Sequence, residues 1–582
     1  MLDYIYPEEE QRFFTNREHT LAVLGLSRDL LSQGVRKHLA LSGFRRVGKT
    51  VVLKEFLRRN LQPGSASATS ASDCHLAYMD LPRLALTPEG FAVQYVGYLL
   101  YWMAGDFQQR VESYFDAPAQ LAAAGQVGAA FSDHVVRIHR ELQKEKPDQH
   151  LLLELAFNTP EVYAQASGQR VMLILDEFPE ILALDNYPQI HDVLALFRAV
   201  LQAQSRVVYV VAGSMIGLME RIFLDAASPL FVHFQLETIG PFGREDCDAL
   251  ARKRFALLAD PVPGEVLATV YQVTRGHPFY IYATAMRVIE NVSLLHKPMS
   301  PATVQEAFTL ETLGSTGRIY NLCRYVLEQS LQGVRGETMP QAVLQVLAQE
   351  PAGMTLTEIA ARLKRPSGAI RQVLTWLANV DLVEQREDKT YGYRDPVLQV
   401  WVAYYYSGLQ LTGMPSQKVL SNLVAELMEK YERAANELGL AKESQVRELL
   451  QAFNGQEVDG RLFGLEGLVK LPVFERVAPY LPPDGKAMFF IAVQIDSLAE
   501  NHERWAVEIG PRRGLRRGRL SGKKELEKLA ANARSLSAKP WFISMLGFTQ
   551  EALEFARHSG MLLSSQADLE AIAKLVRDSA RI

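Results

Sequence analysis

The chain has 582 residues, of which 48% are hydrophobic and 22% are charged, and its formal net charge is -4 at pH 7. This composition is ordinary for globular domains, and at about 150 residues per domain the length predicts three or four of them. The small net charge excludes an overall electrostatic attraction to nucleic acid or to an anionic membrane, so any such contact must come from a local patch.

Neither a membrane span nor a disulfide framework is indicated. The longest apolar run, Phe91–Gly105, is shorter than the roughly 20 residues that a spanning helix needs, which favours a buried helix. The segment MLDYIYPEEEQRFF is acidic and lacks the apolar core of a secretion signal. The cysteines Cys74, Cys247 and Cys323 are far apart and have no metal-ligand spacing. We therefore expect a soluble, cytoplasmic protein without a membrane partner.

Changes of pattern along the chain predict a multidomain α/β protein. Apolar runs alternate with helical patterns in residues 1–240, which predicts a doubly wound P-loop domain. We expect its core strands in 38–44, 74–81, 170–178 and 206–214, a surface loop in 63–73 and a helical insertion in 85–168. The other domains are predicted as a helical lid (241–335), a winged helix-turn-helix (336–410), a helical linker (411–450) and a second α/β domain (451–582).

The first chemical motif is a phosphate-binding loop. Gly43–Thr50 reads GFRRVGKT, fits G-x-x-x-x-G-K-[ST], and lies between the apolar run HLALS and the helical segment VVLKEFLRR. Its glycines let backbone N–H groups face phosphate oxygens, and the helix N-terminus adds partial positive charge. We expect Lys49 to reach the β- and γ-phosphates and Thr50 to ligate Mg²⁺. The residues predicted to bind ATP are Gly43, Phe44, Arg45, Arg46, Val47, Gly48, Lys49 and Thr50.

Polar residues at two later strand ends complete this predicted site. Asp176 and Glu177 follow a buried run, where one carboxylate can hold the Mg²⁺ shell and the next can deprotonate the attacking water. We assign Asp176 to the metal and Glu177 to the general base. The alternative is a pair of solvated acids, which a neighbouring P-loop disfavours. Ser214 ends the next run, and either faces the γ-phosphate and the attacking water or caps the following helix.

Several ordered motifs resemble the archaeal-type ATPase family, in the STAND branch of the AAA+-related P-loop ATPases. They are FTNRE (Phe14–Glu18), GFRRVGKT, LILDEF, VVAGSMIGLM and ASPL (Ala227–Leu230), and the resemblance covers about residues 10–410. It implies that Asn16 and Arg17 lie near the adenine. Where the family has an arginine after Ser-Pro-Leu, this chain has FVH (231–233), which leaves the source of an arginine finger open.

The same resemblance extends into the lid. It implies that Gly276-His277-Pro278 is the G-x-P turn that packs on the nucleotide, with Pro278 as a contact. Arg275 is then a candidate sensor of the γ-phosphate, and the alternative is a solvated turn residue.

Residues 341–394 have the pattern of a winged helix. Helical spacing in 341–349, 355–364 and 367–380 is followed by a two-stranded pattern in 382–394. DNA contact would use the exposed face of the third helix and nearby cations, although neighbouring acids offset their charge. The alternative is packing against the ATPase core as a conformational lever. The candidate DNA contacts are Arg371, Gln372, Thr375, Lys364, Arg365, Arg386 and Lys389.

The last region carries acids in a spacing that resembles a nuclease. Asp496 and Glu508 end or occupy apolar strand-like runs, and Glu475 lies upstream in a segment with helical spacing. This order resembles the restriction-endonuclease-like fold with the PD-(D/E)XK signature, in which carboxylates hold Mg²⁺ and a lysine stabilises charge. Here the lysine position reads Gly510. We therefore expect a degenerate nuclease fold, with an active nuclease and unrelated strand-end acids as alternatives.

A basic segment follows directly. Seven of the thirteen residues in 512–524 are basic and none is acidic, which suits sequence-independent contact with nucleic-acid phosphates. A solvated charge run is the alternative. The basic residues are Arg512, Arg513, Arg516, Arg517, Arg519, Lys523 and Lys524.

These observations predict an ATP-hydrolysing molecular switch. The lid and winged helix would respond to the nucleotide, the C-terminal domain would contact DNA or RNA, and ATP could drive homo-oligomerisation. An ATP-dependent protein-binding scaffold and an ATP-gated nuclease stay open as alternatives.

Overall fold

A computed structural model describes most of the chain, which divides into two compact units. The described residues are 6–579, except 62–73, 106, 108, 259–260, 332–337, 387–388, 410, 412–414, 438–445, 448, 475, 481–488, 494–502, 511–520 and 545–546. The first unit comprises Met1–Val262, Gly276–Ala285 and Asn379–Asp381; the second comprises Pro263–Arg275, Met286–Ala378 and Leu382–Ile582. The predicted surface loop at 63–73 lies outside the described residues.

The first unit is built on a parallel sheet in the order β2-β3-β4-β1-β5. Every residue of β1 and β4 is buried, so helices cover both faces of the sheet centre. The strands are β1 (His38–Ser42), β2 (Cys74–Asp80), β3 (Arg170–Asp176), β4 (Val207–Gly213) and β5 (Phe234–Thr238). The first four lie inside their predicted runs. The strand β5 was not predicted, because it is a short edge strand whose polar residues interrupt the apolar pattern.

Helices surround this sheet, and a helical insertion separates β2 from β3, as predicted. Within the insertion, Phe91, Tyr95 and Phe157 form a buried aromatic cluster. The helices of the first unit are α1 (Glu8–Arg12), α2 (Glu18–Ser32), α3 (Lys49–Leu61), α4 (Pro88–Ala104), α5 (Ala117–Val127), α6 (Ala129–Leu142), α7 (Gln149–Ser167), α8 (Val193–Ala203), α9 (Ile216–Leu224) and α10 (Arg244–Phe255).

The second unit starts with helices that share an ion-pair network around one buried glutamate. Glu311, fully buried, pairs with Arg287 (2.9 Å) and Arg318 (2.8 Å), and Arg318 also pairs with Glu290 (2.9 Å). The two arginines compensate the negative charge of Glu311, which a buried carboxylate needs. The helices are α11 (Gly264–Thr274), α12 (Pro278–Leu295), which begins in the first unit, α13 (Pro301–Leu313) and α14 (Arg318–Leu331).

A winged helix follows in the second unit, as the sequence predicts. Its helices are α15 (Thr338–Ala348), α16 (Leu356–Leu363) and α17 (Ser367–Asn379), and its antiparallel sheet has the order β6 (Met354–Thr355), β8 (Thr390–Tyr393), β7 (Val383–Gln385). Thr355 and Glu358 form a reciprocal capping box that starts α16. Two helices complete this region, α18 (Pro396–Tyr406) and α19 (Gln417–Glu437).

The C-terminal region is a mixed sheet in the order β11-β12-β13-β14-β15, antiparallel up to β13 and parallel beyond it. Segment 476–480 is a strand and not the predicted helix, because Arg476–Tyr480 pairs with β12, and Pro479 disfavours a helix interior. The elements are β9 (Glu457–Asp459), β10 (Leu468–Lys470), β11 (Arg476–Tyr480), β12 (Phe489–Val493), β13 (Arg504–Ile509), α20 (Lys523–Ser535), β14 (Lys539–Ser544), α21 (Gln550–Ser559), β15 (Leu562–Ser565) and α22 (Gln566–Ser579). None of the described helices is long and apolar enough to cross a membrane.

Candidate nucleotide-binding site

The glycine-rich loop connects the end of β1 to the start of α3. A Cβ on Gly43 would lie 2.3 Å from the carbonyl oxygen of Ile239, and Gly48 has a φ of +104°. Only glycine meets these two requirements without a collision or backbone strain. The loop leads directly into the first turn of α3. The free N–H groups and the dipole of that helix end favour a bound anion.

Lys49 lies inside this loop and is only 4% exposed. Its Nζ donates hydrogen bonds to the carbonyl oxygens of Gly43 (2.9 Å) and Phe44 (3.1 Å). Burial lowers the pKa of the ammonium, while the carboxylates of Glu177 and Asp176 act in the opposite direction. Phosphate oxygens bound in the loop would take over the role of the two carbonyl acceptors.

Asp176 and Thr50 meet although β4 separates β3 from β1 in the sheet. The hydroxyl of Thr50 donates to Oδ2 of Asp176 at 2.7 Å, and the N–H of Glu177 donates to Oδ1 at 3.1 Å. A hydroxyl and a carboxylate beside a phosphate loop suit Mg²⁺, which keeps several waters and uses few protein ligands. Among the described residues, no group of three or more His, Cys, Asp or Glu side chains could hold a metal on its own.

Glu177 and Ser214 form a pair at the carboxyl ends of β3 and β4. Ser214 donates to Oε2 of Glu177 from both its backbone N–H (3.1 Å) and its hydroxyl (2.8 Å). Glu177 has a left-handed backbone, with φ +51°, a conformation that is uncommon outside glycine. Ser214 does not cap α9 with its side chain, because Met215 occupies the cap position. The serine therefore orients the candidate general base.

Asn16 and Arg17 directly precede α2, and Arg17 contacts the loop. Arg17 donates to the carbonyl oxygens of Gly240 (2.7 Å) and Val47 (3.2 Å), and its guanidinium lies 4.2 Å from the ring centroid of Phe242. Asn16 donates to Asp246 at 2.6 Å. Arg17 therefore joins the loop to the segment after β5. A position near the adenine stays a prediction for Asn16 and Arg17.

The G-x-P turn also belongs to the first unit. The carbonyl of Gly276 accepts from the N–H of Phe242 at 2.8 Å, and a Cβ on Gly276 would lie 2.0 Å from the carbonyl oxygen of Phe242. Pro278 begins α12 directly after it. His277, which sequence reasoning left out, stacks on Tyr280 with ring centroids 4.2 Å apart, and burial lowers its pKa to about 4. The turn thus requires glycine for close backbone approach.

Arg275 belongs to the second unit and ends α11 with a φ of +48°. Its positive charge acts on Tyr431 of α19, where it opposes the rise in pKa that burial causes. It is half-buried and not a solvated turn residue. A role as γ-phosphate sensor stays a prediction.

The winged helix exposes most of the predicted DNA contacts. Arg386 is the exception: its guanidinium donates to the carbonyl oxygen of Ala352 at 2.8 Å and packs against Gly392, so it closes the wing and does not face solvent as predicted. The sequence could not show this, because a basic residue in a hairpin has the same pattern in either role. The exposed members are Lys364, Arg365, Arg371, Gln372, Thr375 and Lys389.

The C-terminal sheet leaves no room for the lysine of a nuclease. Glu508 lies on β13, and a Cβ on Gly510 would lie 2.4 Å from the ring of Phe542 and 2.7 Å from the hydroxyl of Ser521. Both neighbours are buried, and Ser521 also hydrogen-bonds Ser544 at 2.8 Å. Packing therefore fills the position. Glu475 and Asp496 lie outside the described residues.

Most of the basic segment lies outside the described residues too: Arg512, Arg513, Arg516, Arg517 and Arg519. Lys523 and Lys524 are exposed at the start of α20. Nζ of Lys523 lies 3.7 Å from a carboxylate oxygen of Glu527, so part of this positive charge is compensated on the helix itself.

Residues 342–387 match the family of IclR helix-turn-helix domains. This range contains α16, α17, most of α15 and the strands β6 and β7, and it ends before β8. No curated protein sequence matches the chain.

Solved structures with a related arrangement are distant. The Walker-type ATPase PABY2304 of Pyrococcus abyssi is 17% identical, with a TM-score of 0.46, over 68% of this chain and 97% of that one. The ORC2 protein of Aeropyrum pernix is 13% identical, with a TM-score of 0.39, over 71% and 92%. The RuvB Holliday junction branch migration motor of Thermotoga maritima is 13% identical, with a TM-score of 0.30, over 71% and 100%.

Proposed function

We propose that this protein binds ATP with Mg²⁺ in its first unit, hydrolyses it as a molecular switch, and contacts DNA through its winged helix. The ATPase proposal depends on one arrangement: the hydroxyl of Thr50 and the carboxylate of Asp176 lie 2.7 Å apart beside a phosphate-binding loop. A chance match to the loop motif would not bring these two groups together from positions 126 residues apart.

The side chains have separate roles in this proposal. Lys49 and the N–H groups of the loop bind the phosphates, and Thr50 with Asp176 would hold Mg²⁺, which neutralises phosphate charge when bound. Glu177 would take the proton from the attacking water, and the two hydrogen bonds from Ser214 would aim its carboxylate. The lid's response to nucleotide and nucleotide-dependent self-association stay predictions.

DNA contact by the winged helix is supported by its surface charge. Lys364, Arg365, Arg371 and Lys389 are exposed, and none of the four forms an ion pair with another described residue. The second helix of a helix-turn-helix, here α17, normally enters the major groove. Arg371 and Gln372 would then face base edges, while the lysines would contact phosphates. The match to IclR helix-turn-helix domains supports the same assignment.

An active nuclease is the weaker alternative, since packing at Gly510 excludes the lysine that the chemistry needs. We propose that the C-terminal domain is a degenerate, restriction-endonuclease-like output module. Whether its basic segment adds nucleic-acid affinity stays a prediction.

One experiment tests the combined function. The rate of phosphate release from ATP is measured with and without duplex DNA and RNA, at two salt concentrations. A Mg²⁺-dependent rate that DNA changes more strongly at low salt is expected. A protein that neither binds nor hydrolyses ATP would refute the ATPase proposal, and an ATPase indifferent to DNA that also fails to bind it would favour the scaffold alternative.

A further inference from the structure

Asp176 has a hydrogen-bond donor that the nucleotide motif does not include. The hydroxyl of Tyr78, on β2, donates to Oδ2 of Asp176 at 3.0 Å. The same oxygen accepts from Thr50, and Oδ1 accepts from the N–H of Glu177. Three donors from three different segments therefore fix the plane of this carboxylate.

Tyr78 is buried and packed at this position. Its side chain is 7% exposed, and its ring meets the edge of Trp102 from α4 with centroids 6.4 Å apart. Asp176 is the acceptor of its hydroxyl.

The Tyr78 bond differs from the other hydroxyl contact in one respect. Thr50 is itself an expected metal ligand, so its hydroxyl would serve Mg²⁺ when the metal is bound. Tyr78 has no such second role, and its hydroxyl would stay available to Oδ2. Donors behind a metal-binding carboxylate orient it and set metal affinity.

A second acid lies beside this carboxylate. Asp80 is opposite Asp176 in the β2–β3 register. Asp80 is held by an ion pair with Arg83 at 3.0 Å. Two carboxylates at adjacent strand ends repel each other, and the Tyr78 hydroxyl compensates the charge of the one that faces Thr50.

We propose that Tyr78 is a positioning residue for the Mg²⁺ site: by holding Oδ2 of Asp176, it sets the affinity for the divalent cation and leaves the affinity for metal-free nucleotide unchanged. The proposal rests on the ATPase function proposed above.

Tyr78→Phe tests this, because it removes one oxygen and keeps the ring against Trp102. The affinity for a fluorescent ATP analogue is measured in EDTA and across a Mg²⁺ titration, and Mn²⁺ binding is followed by electron paramagnetic resonance. We expect unchanged affinity in EDTA and a cation midpoint about 10–100-fold higher. Tyr163→Phe is the matched control, since Tyr163 is a buried tyrosine of α7 whose hydroxyl lies 3.5 Å from His75 and does not contact Asp176.

The outcomes separate the two proposals. Equal cation midpoints in wild type and Tyr78→Phe would overturn the positioning role alone. Loss of nucleotide affinity in EDTA with a lower melting temperature, not shared by Tyr163→Phe, would also overturn it, since Tyr78 would then be structural. A wild-type protein whose nucleotide affinity ignores Mg²⁺ would refute the proposed function and the inference together.

Discussion

Replacing Glu177 by Gln should stop ATP hydrolysis and preserve ATP binding. Oε2 of Glu177 accepts two hydrogen bonds, at 3.1 and 2.8 Å, and both come from Ser214. The amide oxygen of glutamine can accept the same two bonds, so the geometry at the ends of β3 and β4 should survive. The amide cannot take a proton from water, which is the step assigned to Glu177.

The size of the effect follows from that single loss. Removing a general base typically lowers the rate about 10²–10⁴-fold, or about 2.7–5.4 kcal/mol of activation free energy. Glu177 is also the charged group with the largest effect on the pKa of Lys49. Its negative charge would repel phosphates in the same place, so the affinity for ATP should be equal or higher in Glu177→Gln.

Phosphate release under saturating ATP measures the rate, and equilibrium fluorescence of a nucleotide analogue measures binding. Glu180→Gln is the matched control, because Glu180 lies in the adjoining 3-10 helix, Phe178–Asn186, and has no role in the proposed site. A Glu177→Gln protein that hydrolyses ATP at the wild-type rate would refute the assignment. An equal loss in Glu180→Gln would point to a general disturbance of this helix.

Three further changes test other parts of the structure. Lys49→Ala should abolish ATP binding, measured by the same fluorescence assay, because the loop loses its buried cation. Gly510→Ala should lower the unfolding free energy by about 1–3 kcal/mol, measured by urea denaturation, since its Cβ would overlap the ring of Phe542 at 2.4 Å. Arg371→Ala should weaken duplex DNA binding by about 1–3 kcal/mol in an anisotropy titration, if the side chain reads a base edge.

Each of these changes has a control at a residue of the same type. Lys54→Ala, on α3, should keep ATP binding, and Gly264→Ala, at the start of α11 with open space around it, should keep stability. Arg433→Ala removes one exposed charge from α19 and should keep DNA affinity. Normal ATP binding by Lys49→Ala would contradict the first expectation, and wild-type stability of Gly510→Ala the second. Equal DNA binding by Arg371→Ala and Arg433→Ala would contradict the third.

Local motifs could be interpreted from the sequence because their chemistry lies within a few residues. The loop Gly43–Thr50 needs its glycines, lysine and threonine at set spacings, and the strand that ends in Asp176 and Glu177 is a continuous apolar run. The winged helix could also be predicted from the sequence, since helical periodicity and the capping residues of α16 are local signals.

What surrounds each motif residue was decided by tertiary structure. Tyr78 lies 98 residues before Asp176, with the helical insertion between them, and only the β2–β3 pairing brings the two together. Arg386 and Gly510 show the same limit, because a half-buried arginine that binds carbonyls and a glycine beside a phenyl ring leave no periodic pattern in the sequence. Sequence alone determined which groups can do chemistry here, since residue type and local spacing carry that information. The fold determined which of them are oriented, paired or enclosed, because those properties come from contacts between segments far apart in the chain.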